Sequence, residues 1–315
     1  MFKEIDNGVG MKDLTILVTG GAGFIGSNLA NRLSVQNEVI AIDNEYLGTP
    51  DNLDKSVDFR RVDVLDEDLP ADVDIIFHLA ALSSYQMHKE DPIKGARVNV
   101  EGFINTVKQG VESGCERVVY ASTSSIYGSR KKPTSESMVV EAHTGYEASK
   151  LARERYAEYF HNEYGIHIAG LRFFSVYQGY GGNESHKGKY ANIIAQFAEE
   201  MANGIEPEVY GDGTQTRDFT HIDDITRATQ MVAERKISGA YNVGTGRPVS
   251  FNEIVDMING ELGTDIEAKY IKNPIPESIY VHDTCADSTK ISEATGWVPE
   301  IGLEEGIRKV CSEYK

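Results

Sequence analysis

Residues 14–35, LTILVTGGAGFIGSNLANRLSV, constrain the fold more than any other stretch of the chain. LTILVTG (14–20) is a short apolar run that ends on glycine, the pattern of a buried strand entering a turn. FIGSNLANRLSV (24–35) carries apolar residues at helical spacing. At and just beyond the junction stand Gly20, Gly23 and Gly26. Glycines there let the backbone turn tightly and approach an anion closely. The helix start at Phe24 and Ile25 offers its unpaired N–H groups to the same point. Strand, glycine loop and helix in that order predict a site for the pyrophosphate of a dinucleotide.

The alternation continues. EVIAIDN (38–44), a weaker VDFRRVDV (57–64), VDIIFHLAA (73–81), CERVVYAST (115–123) and IHIAGLRFF (166–174) read as strands. Residues 91–114 read as one long helix, with Pro92 in its first turn and Gly114 at its stop. Residues 145–165 read as another, stopped by Gly165. This order predicts an α/β fold, a doubly wound parallel sheet with helices on both faces. After residue 175 the elements shorten and QGYGGNESHKGK forms a long polar loop. The expected division is a dinucleotide-binding domain over 1–175 and a second, smaller C-terminal substrate domain over 176–315. Part of 218–245 is expected to pack back on the first.

The second strand ends in Asp43 and Asn44, and Asp43 stands 17 residues past Gly26. A carboxylate at that place holds a ribose diol and repels a 2′-phosphate, which predicts NAD rather than NADP. Asp63 and Val64 end the third strand, where they are placed to flank the adenine. The fourth strand brings Leu79, Ala80 and Ala81 beside the expected pyrophosphate, with His78 read as a packed, satisfied histidine.

Composition narrows the partners. A net charge of −18 repels nucleic acid and anionic lipid, so an anionic substrate must meet a local basic pocket. Cys115, Cys285 and Cys311 lie far apart, without a CxxC pair, and read as reduced thiols of a cytoplasmic protein. No metal site is expected. No run of about 18 apolar residues is present to span a membrane. MFKEIDNGVGMKD (1–13) lacks the apolar middle of a signal peptide and reads as a polar extension before the first strand.

YEASK (146–150) puts Tyr146 and Lys150 four residues apart at the start of a helix, on one face. The preceding strand delivers Ser122, Thr123, Ser124 and Ser125 to the edge that also carries the glycine loop. A free phenol, with a pKa of about 10, is a poor base at neutral pH. A nearby ammonium and a cationic nicotinamide both favour phenolate. Lowering the pKa by roughly three units takes about 4 kcal/mol of differential stabilisation. With a base, a hydroxyl to hold the substrate oxygen and a hydride acceptor on one edge, alcohol oxidation becomes possible.

The glycine loop, the Ser/Thr-rich strand end, YEASK and GDGTQTRDFTHIDD (211–224) together resemble the extended short-chain dehydrogenase/reductase superfamily, specifically its nucleotide-sugar epimerases and dehydratases. The resemblance covers nearly the whole chain from residue 14. It implies a Rossmann-type domain, tightly held NAD, a nucleotide-sugar domain and a homodimer joined through the helices at 91–114 and 145–165. It implies Thr123, Tyr146 and Lys150 as the catalytic trio, Asn99 near the cofactor, and Arg217 on the substrate diphosphate. Ser83, Ser124, Ser175, Lys187 and Asn192 are the remaining substrate-side candidates that it implies.

Related 4,6-dehydratases carry an Asp-Glu pair just after the catalytic threonine, and related decarboxylases a glutamate. Here Ser124 and Ser125 follow Thr123, and neither hydroxyl has a useful acid pKa. The resemblance therefore implies a 4-epimerase of the UDP-glucose/UDP-galactose type or a related uronate or N-acetyl sugar, working by transient oxidation at C4. Several residues depart from that pattern. Ser175 replaces an asparagine that contacts the diphosphate, and an arginine expected before CAD (285–287) is missing. His186 or Lys187 is placed to compensate. SHKGKYAN (185–192) is similar to a segment of heptose 6-epimerases. A heptose 6-epimerase, a dehydratase or 4-keto-sugar reductase, and a non-catalytic NAD-sensing regulator stay open as alternatives. Trp297 reads as a packing anchor.

Overall fold

The computed structural model describes residues 10–315, so most of the polar extension expected over 1–13 lies outside the described residues. Seven parallel strands form one sheet. Six are β1 (Thr15–Thr19), β2 (Glu38–Asp43), β3 (Asp58–Arg61), β4 (Ile75–His78), β5 (Arg117–Ala121) and β6 (His167–Phe173). The seventh is Gly239–Val243, and the spatial order is 239–243, β6, β5, β4, β1, β2, β3. Chain order reverses direction between β1 and β4, the topological switch point where such sheets bind ligands outside their carboxyl ends. Ile16, Leu17 and Val18 are fully buried, which explains why β1 is continuously apolar instead of alternating.

One face of the sheet is covered by α1 (Phe24–Leu33) and the helix Ile222–Glu234, around a core that includes Phe77, Val119, Leu171 and Ile225. Trp297 is fully buried in the same core and donates its indole N–H to the Asp224 carbonyl at 3.0 Å, so it serves as the expected anchor. On the other face, chain order continues through α2 (Tyr85–Glu90), α3 (Pro92–Ala96), α4 (Gly102–Glu112) and α5 (Gly145–Tyr164). These pack Phe103, Val107 and Phe160 onto Leu17, Ile76 and Val118. Phe197, Ile254 and Ile307 belong to a separate apolar cluster built from later elements of the chain.

Three elements differ from the sequence expectation. β3 is shorter than residues 57–64 because its edge position leaves DFRR mostly exposed, with little apolar area to extend the pairing. The expected helix over 91–114 is broken by a π-helical turn at Arg97–Glu101. That turn carries Asn99, which is fully buried, and it precedes Gly102, where a Cβ would meet Val64 Cγ2 at 2.6 Å. Helical spacing is the same on either side, so nothing in the pattern of apolar residues marks the bulge. The third difference is α2, an unexpected short helix capped by Ser84, whose hydroxyl accepts from Met87 N.

The start of α5 is well specified. Thr144 accepts from Glu147 N while the Glu147 carboxylate accepts from Thr144 N, a reciprocal capping box. The helix stops at Gly165 with φ +71°. The cap places Tyr146 in the first turn, level with the carboxyl end of β5.

Candidate active site

A cleft of about 450 Å³ opens along the carboxyl ends of the strands. Its first wall is the glycine loop. Gly20 has φ +66°, and a Cβ there would lie 2.7 Å from Ala80 N. A Cβ on Gly26 would collide with the Gly20 carbonyl, so only glycine permits this turn. Gly23 caps α1 without a side-chain bond, and the first turn of α1 holds no acidic residue. The N–H groups at Phe24 and Ile25 are therefore left for an anion that the described residues do not supply. That is the fit a dinucleotide pyrophosphate requires. Lys187 lies over the Phe24 ring at 5.2 Å, adding a cation near this point.

Asp43 and Asn44 form the next wall with Asp63 and Val64. Asn44 donates to Asp63 at 2.7 Å, and Asp43 accepts from Glu45 N at 2.8 Å. Burial raises the Asp43 pKa, opposed by that backbone bond and a second one from Ala22. Leu79, Ala80, Ala81 and Ser83 continue the wall after β4. His78 lies beneath it. Its Nδ1 meets Thr19 Oγ1 at 3.1 Å, but its Nε2 has no partner among the described residues, so the ring is packed and only half satisfied there. Burial, then Arg153 and Lys150, hold it well below the usual histidine range, hence neutral.

Thr123, Ser124, Tyr146 and Lys150 face the cleft from β5 and α5. The Thr123 hydroxyl lies against the Tyr146 phenol and also accepts from Ser125 N at 3.2 Å. The Lys150 ammonium is buried, donates to the Ala121 carbonyl at 2.9 Å and sits 5.8 Å from the Tyr146 ring centroid. Burial raises the Tyr146 pKa; the Thr123 bond and then the Arg153 charge pull it down. Arg153 is thus a second cation acting on this phenol, beside the Lys150 ammonium expected there. Ser175, Lys187 and Arg217 line the far side. Arg217 donates to the Thr216 and His282 carbonyls at 2.9 and 2.8 Å and stacks near Phe251 and Tyr280.

Two expected residues do not reach the cleft. Asn99 is fully buried: its amide accepts from Leu82 N and faces Leu82 O, His88 and Ser149 within 3.1 Å. It braces the wall from behind. Asn192 caps the helix Ile193–Ala202 and donates to Val176 O at 3.1 Å. Conversely, Tyr46 and Lys94 line the cleft unannounced, Lys94 Nζ lying 3.7 Å from the Tyr46 ring centroid. Tyr46 comes from the loop after β2 and Lys94 from α3, and no motif joins them. Arg153, three residues past Lys150, is a further omission whose signal was present as helical spacing.

Comparison with known proteins agrees with this geometry. A family model described as the NAD dependent epimerase/dehydratase family matches residues 16–244. The UDP-glucose 4-epimerase of Mycolicibacterium smegmatis is 33% identical over 314 residues, covering 95% of this chain and 98% of its own. A UDP-N-acetylglucosamine 4-epimerase from Methanobrevibacter ruminantium M1, solved with UDP-N-acetylmuramic acid, superposes with a TM-score of 0.89. It is 29% identical and the match covers 96% and 98% of the two chains. The UDP-glucose 4-epimerase of Thermus thermophilus, solved with NAD, gives 0.84 at 29% identity, over 95% and 98%.

Proposed function

We propose that this chain, which belongs to the NAD-dependent epimerase/dehydratase family, is an NAD-dependent 4-epimerase of a UDP-sugar, of the UDP-glucose/UDP-galactose type. The observation that carries the reading is the meeting of Thr123, Tyr146 and Lys150 on one wall of the cleft that also holds the glycine loop. Gly20, Gly23 and the N–H groups of Phe24 and Ile25 would hold the NAD pyrophosphate, and Asp43 the adenosine ribose. When bound, NAD supplies the hydride acceptor, and then donor, that oxidation and re-reduction at one carbon require.

The chain's residues do the proton work. Thr123 holds the sugar hydroxyl and Tyr146, as phenolate, removes its proton, directly or through Thr123. Oxidation at C4 leaves a 4-keto sugar, which turns over in the cleft and is reduced on its other face as Tyr146 returns the proton. Ser124 and Ser125 supply no acid for water loss, which favours epimerisation over dehydration. Arg217, with Lys187 and His186, is the basic pocket for a diphosphate on an otherwise acidic chain. A cytoplasmic homodimer completes the reading: Tyr156 and Tyr159 leave an aromatic stripe on α5 exposed at 41% and 48%. Among the described residues no helix is long and apolar enough to cross a membrane.

The test is to incubate the protein as purified, without added cofactor, with UDP-glucose, UDP-N-acetylglucosamine and UDP-glucuronate separately. Products are then resolved by NMR. The C4 epimer of at least one sugar is expected, with no net change in NAD. Loss of water or carboxyl, or no turnover, overturns the reading. Asp43→Asn removes the charge but keeps the shape. It is expected to weaken NAD binding about tenfold, as loss of a charge-assisted bond does, and to narrow the preference over NADP. Calorimetric titration of both nucleotides checks this.

A further inference from the structure

Tyr146, Lys150 and Arg153 stand at i, i+4 and i+7 of α5 and share one face. Arg153 is completely buried. Its Nε donates to the Asn99 carbonyl at 2.5 Å, its Nη2 to Ala80 O at 2.7 Å, and its Nη1 reaches Ala121 O at 3.5 Å. These carbonyls belong to the π-helical turn and to the ends of β4 and β5, the last two bordering the cleft. The Lys150 ammonium shares Ala121 O. Among the described residues Arg153 makes no ion pair, because the adjacent Glu154 is committed to Arg172 and Ser122. A buried guanidinium without a carboxylate is costly, and a clamp for three carbonyls does not need the charge.

We propose that Arg153 is a positioning residue for the reaction: its guanidinium supplies the fixed positive charge that draws the Tyr146 phenol toward phenolate, and its three bonds hold the strand ends that frame the cleft. The proposal rests on the epimerase reading for its chemistry. Lys150 is poorly suited to act alone, since burial and then Arg153 hold its ammonium well below the usual lysine range. Burial lowers Arg153 itself only to about 10, so it stays protonated at neutral pH. The charged and titratable groups facing Tyr146 and Arg153 are few. On α5 they are Lys150 and Glu147, whose carboxylate is already occupied by His143 N and Thr144 N. His88 on α2 stands edge-on to the Tyr146 ring at 5.7 Å. His78 on β4 and Tyr120 on β5 flank Arg153, whose guanidinium lies 5.8 Å from the Phe103 ring centroid. No free carboxylate in that set cancels the guanidinium.

Arg153→Gln and Arg153→Lys, both loaded with NAD, test it through the pH dependence of kcat/KM. The Gln variant is expected to move the acid limb up by about one unit, the shift a lost neighbouring charge produces. The Lys variant loses the fork that bonds the three carbonyls, and its kcat is expected to fall. A folded Gln variant with the parent's limb, or a Lys variant with the parent's kcat, overturns the proposal. A second measurement needs neither turnover nor a folded Gln variant. Tyrosinate absorbance of the NAD-loaded parent minus that of Tyr146→Phe is expected to show residue 146 ionising below the ordinary phenol value of about 10. Ionisation at or above that value overturns the charge assignment even if the protein epimerises sugars. Ionisation below it without any turnover sinks the epimerase reading instead.

Discussion

Tyr146→Phe is expected to lower kcat by about 10³- to 10⁴-fold, the upper part of the range ascribed to a positioned acid–base group, or roughly 4–5.5 kcal/mol in barrier height. The substitution removes one oxygen. Thr123 keeps its bond from Ser125 N, Lys150 keeps Ala121 O, and the capping box of α5 does not involve the ring. The cleft therefore keeps its shape, and the variant should still carry NAD and bind the nucleotide sugar within about threefold of the parent. A fall in kcat with KM nearly unchanged is the signature of an interaction made only in the transition state. The pH profile gives the sign. Because the active form is deprotonated, kcat/KM of the parent rises with pH through the Tyr146 ionisation, which burial places higher than in a free phenol before any cofactor charge acts. The residual activity of the variant should lack that limb. Retention of a tenth or more of the parent's kcat would remove Tyr146 as the base.

The parts of this site written into contiguous sequence were legible, and the parts assembled by folding were not. Gly20, Gly23 and Gly26 announce themselves because a tight strand-to-helix turn tolerates nothing larger at Gly20 and Gly26. Asp43 follows from the end of an apolar strand, and Tyr146 with Lys150 from helical spacing. The resemblance implies Asn99 near the cofactor, yet the π-helical turn at Arg97–Glu101 carries it into the protein, where it bonds Leu82. A one-residue bulge leaves no mark in hydrophobic periodicity. Lys94 and Tyr46 meet across the cleft from segments nearly fifty residues apart, a long-range contact invisible to local pattern. Arg153 shows a different failure. Its i+7 position was readable, but a lone arginine on a helix reads as solvent-facing until burial is known, since arginine is seldom fully buried without a partner.

Glu154→Ala is expected to cost about 3–5 kcal/mol of stability, because it leaves the Arg172 guanidinium buried and unpaired. Both side chains are only 5% exposed. Arg172 donates to both carboxylate oxygens, Nε at 2.9 Å and Nη2 at 2.7 Å, and Ser122 donates to one at 2.6 Å. Burial works against the Arg172 charge, but the Glu154 bonds more than offset it and raise its pKa above the ordinary value. The pair also anchors a chain of bonds: Arg172 donates to Tyr127, and Tyr127 to Asn242 on the strand Gly239–Val243. Removing the carboxylate should thus lower the denaturation midpoint at unchanged urea dependence, and lower kcat as well, since Ser122 precedes Thr123. Glu154→Leu combined with Arg172→Met separates desolvation from attraction. If the cost arises from an orphaned charge, the double variant should regain at least half of what Glu154→Ala loses, with Tyr127 still bonded to Asn242. A double variant as unstable as Glu154→Ala would show that the pair contributes specific attraction beyond mutual neutralisation. A Glu154→Ala protein within about 1 kcal/mol of the parent would contradict the burial of the pair itself.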